Sequence, residues 1–275
     1  MKTKTIFAAF LLLLCCMHAG AQSIRYPISI PYIGMGAYSI KHADVFAVSG
    51  NKASLASIES ATAGIYGERR FMLPQNSVYA LAVALPTSKG NLGIQVNYAG
   101  FRLYNETLAG LAYARKLGNK ASVGIQFNYY MRQVPSYGRA AAFNVELGAL
   151  FRLTEKLTGG FNIYNPVAGK LGKSGDEKLP SVYKAGLGFD ASASFHFAAE
   201  CIKEEDRPVN VQAGILYRFK KQFFVRVGFV SETNSLFGAA GISWKKLRID
   251  LATSFHPYLG FSPAIVLITN LKSGK

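Results

Sequence analysis

The chain has 275 residues, 50% of them hydrophobic and only 17% charged, with 31 Lys and Arg against 15 Asp and Glu for a net charge of +16. Charged residues are scarce for a soluble protein, whereas 27 Gly, 15 Tyr and 19 Phe suit strands that pack closely and turn often. Past the first twenty residues no stretch approaches the roughly 18 continuous apolar residues of a membrane helix, which excludes helical spanning but leaves a secreted β-sandwich compatible with the composition.

Lys2 and Lys4, the apolar run from Phe7 to Leu14 and the small residues of Ala19-x-Ala21 read as a signal peptide over 1–21, with a mature chain from Gln22. A lipoprotein alternative rests on Cys15 and Cys16, but Leu14 or Cys15 would then stand where a small residue is wanted. Losing Lys2 and Lys4 with the leader lowers the net charge by two, to about +14. Of three cysteines only Cys201 remains, so no internal disulfide can form and the fold must rest on its hydrogen-bond ladder and packing. Cys201 itself reads as an apolar wall residue.

Residues 22–60 follow no strand pattern. Gly34-Met35-Gly36-Ala37 and the mixed stretch from Asp44 to Ile58 read as an irregular, partly helical piece, expected either to tuck into the barrel as a plug or to remain a periplasmic lead. From 61 to 275 the chain alternates apolar and polar residues in blocks of about ten, the length of a tilted strand crossing a bilayer. Segment 122–132 shows this best, with Val123, Ile125, Phe127, Tyr129 and Met131 on one face and Ser122, Gly124, Gln126, Asn128, Tyr130 and Arg132 on the other. In chain order the expected strands are 61–71, 77–86, 91–99, 107–115, 122–132, 143–152, 157–164, 181–190, 193–202, 209–219, 222–230, 235–244, 247–256 and 262–271. The fold class is therefore all-β, a transmembrane antiparallel up-and-down β-barrel of about 14 strands with a small N-terminal plug segment.

With the first strand running outward, the short connections near Thr87, Lys116 to Lys120, Thr154 to Lys156, Ala191-Ser192, Lys220-Lys221 and Lys245-Lys246 fall on the periplasmic side. Their basic residues read either as ordinary solvated turns or as contacts for an acidic periplasmic partner. The longest outward loop is Asn165 to Leu179. Trp244, beside Lys245 and Lys246, reads as an interfacial anchor. The last outer loop, His256-Pro257-Tyr258-Leu259-Gly260, is a turn by composition, and with Phe261 offers a docking edge for a larger partner.

By the same alternation Glu68, Arg70, Arg132, Glu146, Arg152, Lys184, Asp190, Glu200, Arg218, Arg226, Arg248 and Asp250 project into the lumen. Pairs such as Lys184 with Glu200, and Arg226 or Arg248 with Asp250, form either a salt-bridged network holding wall and plug or a polar path and anion site. Phe224, Leu150, Leu216 and Val230 also point inward, and Gly159-Gly160 and Gly238 are positions where the wall could open to a hydrophobic ligand.

Gly34-Met35-Gly36-Ala37, Asp44 and Asn51-Lys52-Ala53-Ser54-Leu55-Ala56 resemble the glycine-rich and Asn-Pro-Ala entry of FadL-like barrels, particularly the PorV/PorQ group of Bacteroidota. Arg207-Pro208-Val209-Asn210-Val211, Tyr217-Arg218-Phe219, Phe224-Val225-Arg226-Val227-Gly228 and His256-Pro257-Tyr258-Leu259-Gly260 are similar to the second half of that group. The resemblance implies a fourteen-stranded barrel with an N-terminal plug built on Gly34, Met35, Gly36, Asp44, Asn51 and Leu55. It implies use either as a non-enzymatic accessory of type IX-like protein secretion or envelope assembly, or as a passive transporter of small hydrophobic molecules; a scaffold barrel without transport is the third reading. Lys52 stands where that group has proline.

No nucleophile elbow, zinc-protease helix, Cys-x-x-Cys pair or phosphate-cradling glycine loop occurs past the leader, so no enzyme, metal site or cofactor is expected. Ser194, His196 and His256 are the residues nearest to a hydrolytic set, but on a lumen-facing wall they would not meet lipid. The expected partners are outer membrane lipid, a larger secretion or envelope complex and hydrophobic small molecules, not nucleic acid.

Overall fold

The computed structural model describes residues 35–135, 138–167, 169–171, 177–205, 207–220 and 222–271. The signal-peptide expectation for 1–21 and the assignment of Gly34 to the plug motif lie outside the described residues. Fourteen strands close one antiparallel barrel: β1 Thr62–Arg69, β2 Ser77–Thr87, β3 Gly90–Phe101, β4 Tyr104–Leu117, β5 Ala121–Val134, β6 Gly138–Arg152, β7 Leu157–Tyr164, then β10 Val182–Asp190, β11 Phe195–Glu204, β12 Asn210–Phe219, β13 Phe223–Val230, β14 Ser235–Trp244, β15 Leu247–His256 and β16 Gly260–Asn270. Between β7 and β10 the chain makes a two-stranded hairpin, β8 Lys170–Leu171 with β9 Glu177–Lys178, outside the barrel sheet. Closure joins β1 to β16, with Thr62 opposite Asn270 and Glu68 opposite Ala264, so the barrel sheet has no free edge strand.

The period-2 alternation decides which face meets what. Phe127, Leu111, Phe143, Phe161, Leu187 and Leu251 are exposed on the outside, a surface suited only to hydrocarbon. Aromatic rings band both ends: Phe195, Tyr217, Phe219 and Phe223 stack in sequence at one end, and Tyr129 with Phe143 and Phe255 with Phe261 pair toward the other. Trp244 is exposed, with Lys245 Nζ 5.7 Å above its ring, as an interfacial anchor requires. Cys201 is a free, outward thiol, in keeping with a wall residue.

Strand centres fall where the alternation puts them, but several ends differ. β4 and β6 begin three and five residues earlier than the expected 107 and 143, since strands project beyond the apolar band where the alternation fades. The first strand stops at Arg69, not 71: Arg70–Met72 form a 3-10 turn with Phe71 at φ 55 and Met72 at φ 59, left-handed backbone that nothing in those residue types signals.

Residues 35–60 have three short 3-10 turns, Met35–Tyr38, Ala47–Ser49 and Lys52–Ser57, and most of these residues are buried against the inner wall. The lumen is two-sided. Toward β1 to β4 and β13 to β16 the wall presents Ala80, Ala82, Ala84, Ala112, Ala114 and Ala239, and the segment fills the space they leave with Val45, Phe46, Leu55 and Ile58. Burying a side chain such as Phe46 contributes about 1.5–3 kcal/mol. Toward β5 to β7 the wall is polar: Asn128 Nδ2 donates to Asn144 Oδ1 (3.0 Å), Asn144 Nδ2 to Tyr164 OH (3.0 Å) and Asn162 Nδ2 to Glu146 Oε1 (2.7 Å).

Candidate functional site

Glycines on the inner face let the segment approach wall backbone. A Cβ on Gly124 or Gly148 would overlap the backbone of Lys52 and Ala53, on Gly64 the ring of Phe46, on Gly186 and Gly188 Tyr38, and on Gly214 the thioether of Met35. Gly36 is required by its own turn, because a Cβ there would press on His42 O. Leu55 packs against Gly93 in the same way, and Asn91 Nδ2 ties Leu55 O and Ile58 O at 2.7 Å each.

Four polar nodes then fix the segment. Asn51 caps the Lys52–Ser57 turn, its Oδ1 accepting from Ala53 N at 3.0 Å, while its Nδ2 donates to Ala149 O on β6 and Phe161 O on β7. Lys52 Nζ lies 3.2 Å from Glu146 Oε2 and 3.2 Å from Gln95 Oε1, with both charged side chains at 2% exposure or less. Burial pulls the Lys52 ammonium below its ordinary value and Glu146 opposes that shift. Asp44 accepts from Phe46 N and Ala47 N through Oδ1 and from Arg226 Nη2 (3.3 Å) and Arg248 Nη1 (2.9 Å) through Oδ2. Burial raises the Asp44 carboxyl, but Arg248 and Arg226 outweigh it and hold the group below the usual carboxylate range. Arg248 also forks onto Asp250, and both guanidiniums lie over the Phe224 ring.

The fourth node joins Ser39 and His42 to the wall. Asp190 Oδ1 accepts from Ser39 Oγ at 2.7 Å, lies 2.9 Å from His196 Nδ1 and stands 4.0 Å from His42 Nε2. His196 Nε2 meets Met35 O at 3.2 Å. Burial, then the positive charge of Arg218, lowers His42 from 6.5 to about 4. Tyr38 OH donates to Glu200 at 2.5 Å, and burial with the neighbouring carboxylate pushes the phenol well up.

Of the expected pairs, Arg248 with Asp250 is present, while Arg226 meets Asp44 and Asp190 meets Ser39 and His196. Lys184 and Glu200 each reach the segment, at Ser49 O (3.4 Å) and Tyr38; in the β10–β11 register Lys184 stands opposite Ile202 and Glu200 opposite Gly186. Arg218 is half-buried on the same face. Among expected inward charges, Arg70 has moved to the outer turn, where it pairs with Glu68 at 3.0 Å. Phe224, Leu150, Leu216 and Val230 are all buried but do not form one cluster: Leu150 packs with Ala37, Tyr38 and Ala53, and Val230 joins the alanine-lined half. Tyr38, Ser39, His42, Gln95 and Asn162 were not singled out by sequence; the paired inward glycines 186 and 188 are the signal that marked a bulky neighbour.

The hydrolytic set does not assemble. His196 sits near the start of β11, whereas His256 ends β15 at the opposite rim, its Nδ1 accepting from Tyr258 N and Leu259 N in the last loop. Ser194 lies in the turn before β11. In that last loop Pro257 precedes Tyr258, which is 91% exposed, and Gly260 takes φ 81.

The wall is not open where glycine pairs suggested. The ladder runs unbroken through Gly159, Gly160 and Gly238; Gly160 serves the approach of Asn51. It is thin elsewhere: Gly188, Ala198, Gly214 and Gly228 are successive register partners across β10 to β13, all on the inner face. Outside this row, Ala199 and Ala213 floor an apolar groove of about 720 Å3 rimmed by Leu187, Phe189, Phe197, Ile215, Val227 and Phe229. Across it, little more than backbone separates the outer surface from Tyr38 and Met35.

No family model and no curated protein sequence matches the chain. Among solved structures the chain is similar to the CymD monoaromatic hydrocarbon channel (TM-score 0.63, 14% identity, 92% of this chain and 96% of that one). It is also similar to the Ralstonia pickettii toluene transporter TbuX (0.62, 12%, 90% and 97%) and to a Pseudomonas aeruginosa FadL homologue (0.61, 11%, 88% and 98%).

Proposed function

We propose that this chain is an outer membrane channel for passive uptake of small hydrophobic molecules, with the N-terminal segment as its plug and the β10–β13 wall as its lateral exit. The observation that carries the reading is the glycine and alanine row beneath the apolar groove, a place where the wall is thin and its outer surface can take an apolar molecule of the size that fills pockets of 300–1,000 Å3. The solved channels with this fold are named for monoaromatic hydrocarbons and toluene, which are small and apolar in the sense the groove requires. Lys184, Asp190, Glu200, Arg226 and Arg248 do not oppose this, since each is bound to the N-terminal segment.

The test is uptake of N-phenyl-1-naphthylamine by cells producing the protein. Wild type accelerates entry over empty-vector cells, and Ala213→Phe, which fills the groove from the lipid side, removes most of the gain while Leu251→Phe elsewhere on the outer wall does not. Equal entry in both variants and wild type refutes lateral exit; no gain over the vector refutes the channel.

The secretion-accessory reading has one observation of its own. The outer turns are short, and Met72, Leu73, Tyr258 and Leu259 stand exposed among them, a platform for a large partner. Recovery of a stoichiometric partner from native membranes, lost in Tyr258→Ser, would favour it.

A further inference from the structure

One pocket at the rim where β1 begins and β16 ends stands outside everything assigned above. It encloses about 140 Å3 between the plug and the inner ends of β4 to β7. Ile40 and Ser57 come from the plug; Lys116, Ser122, Leu150, Arg152 and Thr158 come from the wall, and Asn119 and Lys120 from the β4–β5 turn. Register brings the wall residues together: Lys116 is opposite Ser122, Ser122 opposite Leu150, and Arg152 opposite Thr158.

Three cations, three hydroxyls and a carboxamide line this space, and no carboxylate does. Elsewhere inside the barrel charges are matched, as at Lys52–Glu146 and Asp44–Arg248. Here Lys116, Lys120, Arg152 and Asn119 are exposed at the mouth of the pocket, Ser57 and Ser122 are half-buried, and among the described residues the three cations have no ion pair within 4.0 Å. Thr158 is the most buried of these polar residues, at 5% exposure. Polar groups so arranged, all cationic or hydroxyl, await an oxyanion. The volume is roughly the liquid share of four or five waters at ~30 Å3 each, room for a tetrahedral head and too little for a long lipophile.

We infer that this pocket binds a phosphate group, supplied either by a soluble phosphate or phosphate ester or by the headgroup of an anionic phospholipid at the membrane edge. Because Ser57 lies on the plug and the cations on the wall, the bound group bridges the two and holds the plug seated. The inference stands independently of what the channel carries.

The test uses the purified full-length mature protein in a zwitterionic detergent and a phosphate-free chloride buffer of constant ionic strength. Calorimetric titration with inorganic phosphate is read beside native mass spectrometry with phosphatidylglycerol and phosphatidylcholine. Wild type shows saturable binding of inorganic phosphate, or selective retention of phosphatidylglycerol where the source is the lipid. Lys116→Gln with Arg152→Gln weakens it at least tenfold, while Lys245→Gln with Lys246→Gln, on the same rim, changes it less than twofold. Thr158→Val, isosteric and safe for folding, weakens it severalfold and covers the case in which the double variant does not fold. Binding of neither probe, or equal loss in the Lys245/Lys246 control, overturns the inference.

Discussion

Lys52→Met examines the buried pair that seats the plug. Lys52 Nζ and Glu146 Oε2 are 3.2 Å apart, with side-chain exposures of 2% and 1%, and Asn162 Nδ2 holds the other carboxylate oxygen at 2.7 Å. Removing the ammonium leaves Glu146 buried beside Asn162 without its cation, a change that ordinarily costs about 3–5 kcal/mol. Lys184 acts electrostatically on Lys52 from the same space, so its charge offsets part of the loss and the lower figure applies. At 1.4 kcal/mol per tenfold, 3 kcal/mol raises the undocked population of the plug by roughly 100-fold. Glu146→Gln should cost a similar amount, whereas Lys52→Met with Glu146→Gln together removes both charges and should lie within about 1 kcal/mol of wild type. The assay is hydrogen exchange by mass spectrometry on peptides spanning 45–58, normalised to strand peptides that report the intact barrel. Exchange in Lys52→Met within threefold of wild type, or a double variant as open as the sum of the singles, would refute the assignment of this pair as the anchor.

Asp44→Asn keeps an acceptor for Phe46 N and Ala47 N but removes the charge facing Arg226 and Arg248; it should loosen the plug by about 2–4 kcal/mol. Limited proteolysis after residues 41–50 reads the change, and the wild-type pair, being buried, should resist 1 M salt. Acidification should act through His42. Its folded value of about 4 lies below the ordinary 6.5, so the unfolded or undocked form takes up the proton first; the contribution is intact above 6.5 and is lost as pH falls from 6.5 toward 4. Exchange of peptides covering 38–44 should therefore rise over that interval in wild type and rise less in His42→Phe.

The barrel was legible because a strand's two faces write themselves into sequence at period 2, and a lipid-facing surface keeps that pattern free of exceptions for ten residues at a time. Where the pattern stops, so did the reading: the left-handed turn at Phe71 and Met72, the two-residue strands at Lys170–Leu171 and Glu177–Lys178, and the start of β6 among Ala140 to Ala142 carry no alternation. Among the lumen charges the Arg248–Asp250 pair could be read from the alternation, whereas Arg70 sits in the outer turn and the contacts to Asp44, Tyr38 and Ser39 could not be read, because they come from the irregular segment. Lys52 shows this most clearly: it stood out as a departure from a proline, and its reason is Glu146, 94 positions away. The thin wall was equally hidden, because Gly188, Ala198, Gly214 and Gly228 become a row only once four strands are placed in register.

The plug's anchors also bear on biogenesis. Asn51 holds β6 and β7, Tyr38 and Ser39 hold β10 and β11, and Asp44 reaches Arg248 on β15, 204 residues along the chain. The segment made first thus acquires its last partner only when the penultimate strand has arrived. A chain stalled before β15 has the Asn51, Tyr38, Ser39 and Arg226 anchors but leaves Asp44 without Arg248, so the last of these contacts forms one strand before β16 closes the cylinder.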